Sequence, residues 1–488
     1  MENRLSRFFG AQDMTTGTPL SCLVRFSVPL LVGNIAQQLY NAVDSVVVGQ
    51  YVGNNALAAV GGAGPLLQLM FVFFIGISVG ASVMISQYYG ARQREQLSRT
   101  IGSTLTITLI VSIFLMIVGT FITDPLLRLL KTPDEIIGMT STYVKIIFWG
   151  IAGTAYYNIV SGMLRGFGDS VVPLIYLLVS CGLNIVLDLL FVIVFNMGVA
   201  GVAWATIIAQ IVSSILSIIR LTRMKDKFTL KLAYLKPQKK SVLQLLRLGL
   251  PSGLTQAVFA MASIIIQPLT NSFGPTVIAT ANVVMRVDGF AMMPNFTFGT
   301  AMTTYTGQNI GAERMDRVDQ GTKTGMRLGV AVSCILVLLL LIFGPMLIGL
   351  FTNNEDPTTP MILELGTRMI RMLAIGYIAM AITQILSGVM RGAGDTVIPM
   401  WISIFTTVIM RIPVAYGYSW LTRSDALPNG SSDCIFASLL ASWVVGAILT
   451  VIFFRVGKWR NKGITKKVPD YSDEEAIAGD MHLAPENV

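Results

Sequence analysis

The sequence predicts an all-α polytopic membrane protein, with twelve transmembrane helices in two pseudo-symmetric six-helix bundles. Three observations carry that reading. Apolar runs of membrane-spanning length recur along the whole chain, basic residues gather in alternate breaks between them, and a fourteen-residue stretch of the first half returns in the second. Of 488 residues, 53% are hydrophobic and 12% charged, about half the charged fraction of a soluble domain. Such a composition excludes a disordered chain, a disulfide scaffold and an ordinary soluble enzyme of two or three domains. The single histidine, His482, leaves no histidine-based metal site or triad. Cys22, Cys181, Cys334 and Cys434 lie far apart, without metal-ligand spacing, and read as small apolar residues.

A run of about 20 apolar residues crosses some 30 Å of hydrocarbon at about 1.5 Å per residue. The first, 24–49, follows a segment, Met1 to Pro19, that lacks the apolar core of a cleavable signal. Gly53-Asn54-Asn55 breaks the chain before the second run, 57–87, and a basic loop at 92–99 precedes the third, 100–122. The fourth, 138–164, ends at Arg165, and Asn196-Met197-Gly198 separates the fifth, 171–195, from the sixth, 200–219. The seventh is 248–270 and the eighth 277–306; the ninth, 325–350, closes at Asn353-Asn354. The tenth, 362–389, ends at Arg391, and the eleventh, 397–420, and twelfth, 435–456, complete the set. The expected organisation is an N-lobe over 1–222, a basic linker over 223–247, a C-lobe over 248–457 and a polar tail over 458–488.

Loop charge orients the chain. Of its 35 Lys and Arg, 27 fall on one side when alternate loops are counted together, whereas the opposite loops hold only Arg128, Lys131 and Arg423. The positive-inside rule then makes both termini cytoplasmic. The net charge of +9 is thus a topology signal, with contacts to the lipid bilayer and not to nucleic acid.

The halves repeat. Ser161-Gly-Met-Leu-Arg-Gly-Phe-Gly-Asp-Ser-Val-Val-Pro-Leu174 returns as Ser387-Gly-Val-Met-Arg-Gly-Ala-Gly-Asp-Thr-Val-Ile-Pro-Met400, with eight of fourteen positions identical. Gln87-Tyr-Tyr-Gly-Ala-Arg92 is echoed by Gln308-Asn-Ile-Gly-Ala-Glu313, and Pro29 by Pro251. Six spans per half is an even number, so the repeats run parallel about an axis along the membrane normal. A cavity between two such bundles suits alternating access.

Ionisable side chains within spans cost roughly 2.5–3.5 kcal/mol each at the bilayer centre and so mark candidate function. Asp44 lies deep in the first span on a polar stripe with Asn34, Gln37, Gln38, Asn41 and Ser45. Asp188, in the fifth span, follows Asn184 by one helical turn, and Thr206 in the sixth offers a hydroxyl. These are hard oxygen donors of the kind a sodium ion accepts. Two carboxyls withdrawn from water also suit proton exchange near neutral pH. Simple hydrogen bonding between helices is the structural alternative. In the second half Gln256, Asn282, Arg286 and Asp288 are polar candidates, with Arg411, Glu364, Arg368 and Arg371 as charge partners. Ion pairing and substrate gating both remain open there. Tyr156 and Tyr157, with some of the 25 methionines, are candidates to line an adaptable apolar cavity.

Gly-x-Gly-Asp occurs at Gly166–Asp169 and Gly392–Asp395, and is also a motif of intramembrane aspartyl proteases. No Tyr-Asp dipeptide supplies the second catalytic acid, and both copies stand between an Arg (Arg165, Arg391) and Val-x-Pro. They read as tight interhelical turns. The chain also lacks a phosphate-loop motif and a potassium-filter sequence, so it has no ATP motor of its own.

Pro29 through Gln-Gln-Leu-Tyr-Asn-Ala-Val-Asp44, Leu57-Ala-Ala-Val-Gly61, the Gln-x-x-Gly-Ala echoes and the doubled Arg-Gly-x-Gly-Asp turns together resemble the MATE (multidrug and toxic compound extrusion) family, over about residues 20–457. The resemblance implies a MATE-like fold of two lobes around a V-shaped cavity. It implies a multidrug efflux antiporter and no enzyme, exporting organic cations or amphiphilic drugs in exchange for H+ or Na+. Asp44, Asn184, Asp188 and Thr206 match the N-lobe cation site of the DinF-like branch; a sodium ion bound there would use those four. The sodium-linked branch has carboxylates in spans seven and ten, where this chain has Phe259 and Met380. A monomer with no cofactor beyond the coupling ion is expected, with a negative cavity attracting the drug. Two rivals are a lipid-linked oligosaccharide flippase, which would show a more cationic cavity, and a membrane-embedded enzyme.

Overall fold

The structure, a computed structural model, describes residues 11–130, 132–352, 357–425 and 427–465. The Asn353-Asn354 turn, His482 and most of the polar tail lie outside the described residues. Among the described residues, eleven helices are long and apolar enough to cross a bilayer, and a twelfth span joins Asp134–Trp149 to Ile151–Gly166 through a 54° bend. We number the spans α1 (Pro19–Val52), α2 (Gly64–Gly90), α3 (Arg94–Leu129), α4 (the bent pair), α5 (Val171–Val194), α6 (Gly198–Arg223), α7 (Lys239–Ser272), α8 (Pro275–Gly311), α9 (Met315–Gly349), α10 (Thr359–Gly392), α11 (Val397–Leu421) and α12 (Cys434–Val456). The bend in α4 falls at Gly150, where a Cβ would run into the Ile207 side chain; glycine is a common site of such kinks.

Most helices overrun their apolar runs, because polarity ends the run while the backbone ladder continues. α3 starts at Arg94 and carries an Arg99–Glu95 pair at 2.6 Å, one turn apart. The segment expected as a linker over 223–247 is likewise helical from Lys239. α1 begins with Pro19 at its first turn, and Thr18 Oγ1 accepts the Ser21 N–H.

The doubled motif makes the turns expected of it. Gly168 and Gly394 have φ of +83° and +94°, a conformation that favours glycine. Asp169 Oδ1 accepts the Val172 N–H at 3.1 Å and Asp395 Oδ1 the Ile398 N–H at 3.3 Å, capping α5 and α11. The other oxygens face Arg220 at 3.5 Å and Lys462 at 2.9 Å. Gly166 and Gly392 let the helices pass closely: a Cβ on Gly166 would stand 2.8 Å from the Ser82 carbonyl, and one on Gly392 would strike that of Thr303.

Each lobe has its own core, around Phe74, Met84, Phe148 and Phe167 in the first and Met292, Leu373 and Trp443 in the second. α1 and α7 break that division. Cys22, Leu23 and Phe26 of α1 pack with Met302, Tyr305 and Ile385 of the second lobe, while Leu245 and Leu248 of α7 join the first core. α7 approaches α2 backbone to backbone at glycines. A Cβ on Gly76 would meet the Gly249 carbonyl at 2.7 Å, and one on Gly253 the Val72 carbonyl at 2.8 Å.

At the end bearing the termini the repeats clasp each other. Gln87 Nε2 donates to the Gly392 carbonyl at 2.7 Å, and Gln308 Nε2 donates to the Gly166 carbonyl at 3.0 Å. Each amide oxygen also accepts from a chain end: Gln308 Oε1 from the Met14 N–H at 2.9 Å, Gln87 Oε1 from the Ile464 N–H at 2.8 Å. Both glutamines are fully buried. Gly90 lies against the Gln308 backbone and Gly311 against that of Gln87. Among the described residues, the hydrogen bond between lobes farthest from this end is Asn34 Nδ2 to Thr297 Oγ1, 3.1 Å. The bundle is therefore latched at its terminus-bearing end.

Unpairing a buried amide partner costs about 1–3 kcal/mol. Replacing Gln87 and Gln308 by Ala should therefore speed alkylation, from that end, of a cysteine placed at Thr303 in a background without the native cysteines. A rise of about tenfold or more is expected; an unchanged rate would show that the clasp does not hold the latch.

Candidate functional site

Two sites occupy the interior. The first lies within the N-lobe, where α1, α5 and α6 meet and α4 closes the side. Asp44 and Asp188 stand within hydrogen-bonding reach of each other. Each precedes a π-helical turn, Val48–Val52 after Asp44 and Leu190–Val194 after Asp188; π-turns often accompany functional sites. Asp188 and Asn184 are buried on one face of α5. With the Asn184 amide oriented to satisfy its neighbours, its nitrogen donates to Asp188 Oδ2 at 2.9 Å and its oxygen accepts the Thr206 N–H at 3.1 Å. The Thr206 hydroxyl donates to the Val202 carbonyl at 3.0 Å, within α6.

The sequence-predicted quartet of Asp44, Asn184, Asp188 and Thr206 is thus one cluster. Two tyrosines that sequence reasoning missed complete it. Tyr40, one turn before Asp44, reaches Thr206, and Tyr143 of α4 is buried within the field of both carboxyls. Asp44 Oδ1 and Asp188 Oδ1 are both buried without a hydrogen-bond partner. A pair of buried carboxyl oxygens without donors is costly unless a cation or a proton occupies the gap. No group of three or more His, Cys, Asp or Glu side chains gathers as a metal centre among the described residues.

The second site is a cavity of about 470 Å³ between the lobes. Asn34, Ser78, Ser82 and Asn158 line it from the first lobe, and Gln256, Phe259, Phe296, Met380 and Trp443 from the second. Phe259 and Met380, the positions expected to lack a C-lobe acid, are apolar wall. Arg165 and Arg391, read as turn residues, also line this cavity. Its lining holds no Asp or Glu, so the negative cavity expected from the resemblance is not the arrangement found. The acids lie inside the N-lobe instead.

Of the other cavity candidates only Gln256 lines it. Gln37 and Asn41 are exposed on α1, with Asn41 Nδ2 donating to Gln38 Oε1 at 3.4 Å. The Tyr156 hydroxyl donates to the Leu105 carbonyl at 2.8 Å and that of Tyr157 to the Pro173 carbonyl at 3.2 Å, so both tie helices together. Asn282 and Arg286 are exposed, and Arg286 lies over the Phe351 ring at 5.9 Å. Asp288 is flanked by Tyr377 of α10 and Arg411 of α11 in the C-lobe, and its Oδ1, like the Tyr377 hydroxyl and Arg411 Nε, is buried without a hydrogen-bond partner. Arg368 pairs with Asp433 at 2.9 Å, and Lys145 with Asp124 at 2.6 Å. Helical periodicity shows which residues share a face, but not whether that face meets lipid, a neighbour or the cavity.

Comparison with known proteins agrees with this architecture. The MatE family model matches residues 29–190 and 251–417, one block in each lobe. "Probable multidrug resistance protein YoeA" of Bacillus subtilis (strain 168) is 30% identical over 452 residues, covering 91% of this chain and 95% of the relative. "Probable multidrug resistance protein NorM" of Thermotoga maritima is 26% identical over 453 residues, covering 91% and 93%. Among solved structures, one described as "Outward-facing conformation of a multidrug resistance MATE family transporter of the MOP superfamily" aligns with a TM-score of 0.83 at 24% identity, over 91% of this chain and 97% of that one. Another, "Crystal structure of MATE in the bent conformation", gives 0.84 at 23% identity, over 93% and 98%. With two six-span lobes around a central cavity and relatives that match over nearly their whole length, the chain belongs to the MATE family: it is a multi-pass membrane transporter and not an enzyme.

Proposed function

We propose that the protein is a secondary active exporter of amphiphilic small molecules, driven by protons that load the Asp44–Asp188 pair. The observation that carries this is the pair of buried carboxyl oxygens without donors in the N-lobe. One proton placed between Asp44 and Asp188 would satisfy both. A sodium ion would need several more oxygens, yet the Asn184 oxygen is engaged by the Thr206 N–H and its nitrogen faces Asp188. The donor set therefore favours H+ over Na+ as the coupling ion. The loop-charge bias supports placing both termini in the cytoplasm, with the chain in a bacterial plasma membrane. The Gln87–Gln308 latch then closes the cytoplasmic end, and the cavity opens outward.

The cycle follows from which state each ligand prefers. A proton entering from outside neutralises the Asp44–Asp188 pair, and α1 and α5 repack beside their π-turns. Because α1 packs on the second lobe through Cys22, Leu23 and Phe26, that repacking is passed to the lobe interface. The outward cavity then releases its cargo. Proton loss to the cytoplasm restores the pair and favours reloading with drug. A membrane potential adds about 2.3 kcal/mol per charge per 100 mV, some 40–50-fold in accumulation.

In proteoliposomes, an imposed proton gradient at equal sodium should drive efflux of norfloxacin, an amphiphile that carries a carboxylate. Efflux driven by a sodium gradient alone, at equal pH, would overturn the proton assignment. Asp44→Asn or Asp188→Asn should lower gradient-driven efflux at least tenfold while leaving expression and membrane insertion unchanged; normal efflux by purified Asp188→Asn would sink the site. Asn184→Ala, which strips the donor from Asp188 Oδ2, should slow coupled efflux severalfold without weakening drug binding in detergent.

A further inference from the structure

We propose that the cavity between the lobes recognises an anionic group on its amphiphilic substrate, held by Arg165 and Arg391. The proposal rests on the exporter reading for what enters the cavity, and it names the chemical class of that cargo. Among the described residues, Arg165 and Arg391 are the only charged ones in the lining, and they come from opposite lobes at equivalent positions of the repeat. Neither has a carboxylate partner among the described residues. Asp169 and Asp395, four residues on in each copy, are spent on helix caps and on Arg220 and Lys462. Arg165 Nη2 has the Ser78 hydroxyl at 3.4 Å. Arg391 lies beside Gly299, where a Cβ would stand 3.4 Å from Nη2.

A guanidinium kept within a membrane bundle without a carboxylate is costly. Its planar fork matches a carboxylate, sulfonate or phosphate in two-point contact. Ser78, Ser82, Thr303 and Ser387 add hydroxyls to the same lining, and Phe259 and Trp443 supply aromatic walls for an apolar body. Asp44 and Asp188 do not line the cavity, so no acid there competes for the arginines. The cargo is an amphiphile with one anionic end, drawn either from soluble compounds or from a lipid headgroup.

The test compares 11-(dansylamino)undecanoic acid with its carboxamide, which share a body and differ in charge, by fluorescence anisotropy on the full-length protein in phosphatidylcholine nanodiscs. The acid should bind at least tenfold tighter than the carboxamide. The Arg165→Gln/Arg391→Gln double variant should shrink that preference to within about twofold and leave carboxamide affinity unchanged. Single variants serve if the double variant misfolds, and Arg391→Lys should retain part of the preference. Competition by phosphatidylglycerol would identify a lipid headgroup as the source of the anion, and its absence a soluble amphiphile. Wild-type protein that binds the carboxamide as tightly as the acid, or binds neither, overturns the proposal, as does a preference that survives both substitutions. Gradient-driven efflux of the two probes separates the readings. Export without a preference for the acid keeps the exporter and removes the anion site, whereas a binding preference without any export does the reverse.

Discussion

Hydrocarbon offers no water to a polar group, and the structure is organised around that constraint. Inside the bundle every donor or acceptor must find a partner from the protein, and most do. Gln87 and Gln308 are fully buried, yet each amide both donates and accepts across the lobe interface. Against this background the groups left without partners stand out. Those without a hydrogen-bond partner include Asp288 Oδ1, Asp169 Oδ2 and Asp395 Oδ2, but two cases concern the interior sites: the adjacent carboxyls of Asp44 and Asp188, and the cavity-wall arginines, which lack a carboxylate partner among the described residues. The first would be satisfied by a proton and the second by an anion, and neither is satisfied by the fold alone.

Pseudo-symmetry divides the labour. What the repeats share is structural: the Arg-Gly-x-Gly-Asp turns, their helix caps, and the glutamines that each grip the other lobe's turn. What they do not share is the pair of buried acids. The N-lobe keeps two acids facing each other, whereas the C-lobe sets Asp288 against Arg411 and Tyr377. In the proposed cycle coupling falls to the N-lobe, where two acids share one gap. The other lobe, with Phe259, Phe296, Met380 and Trp443, contributes most of the cavity wall.

Much of this was legible in the residues themselves. Asp44 and Asp188 stood out because a carboxyl within an apolar run is expensive, and the Asp caps because Gly-x-Gly-Asp before Val-x-Pro is turn chemistry. Tyr40 and Tyr143 gave no such signal, since a tyrosine in a span is ordinary and only packing brings these two to the acids. Arg165 and Arg391 were visible as part of a turn, but a motif describes backbone, and the direction of a long side chain is decided by what surrounds it. The negative cavity is what the resemblance implies, and a resemblance does not say which helix face an acid occupies. The structure distinguishes a helix face turned into a lobe from one turned toward the gap between lobes.

The clasp also involves the chain ends. Met14, before the first span, and Ile464, after the last, each supply a backbone N–H to a latch glutamine. Arg317 ties the same entry segment down through the Gly17, Met14 and Thr16 carbonyls. These backbone contacts add to the glutamine bonds at this end of the bundle. Segments outside the twelve spans thus take part in the closure beside the lobes themselves.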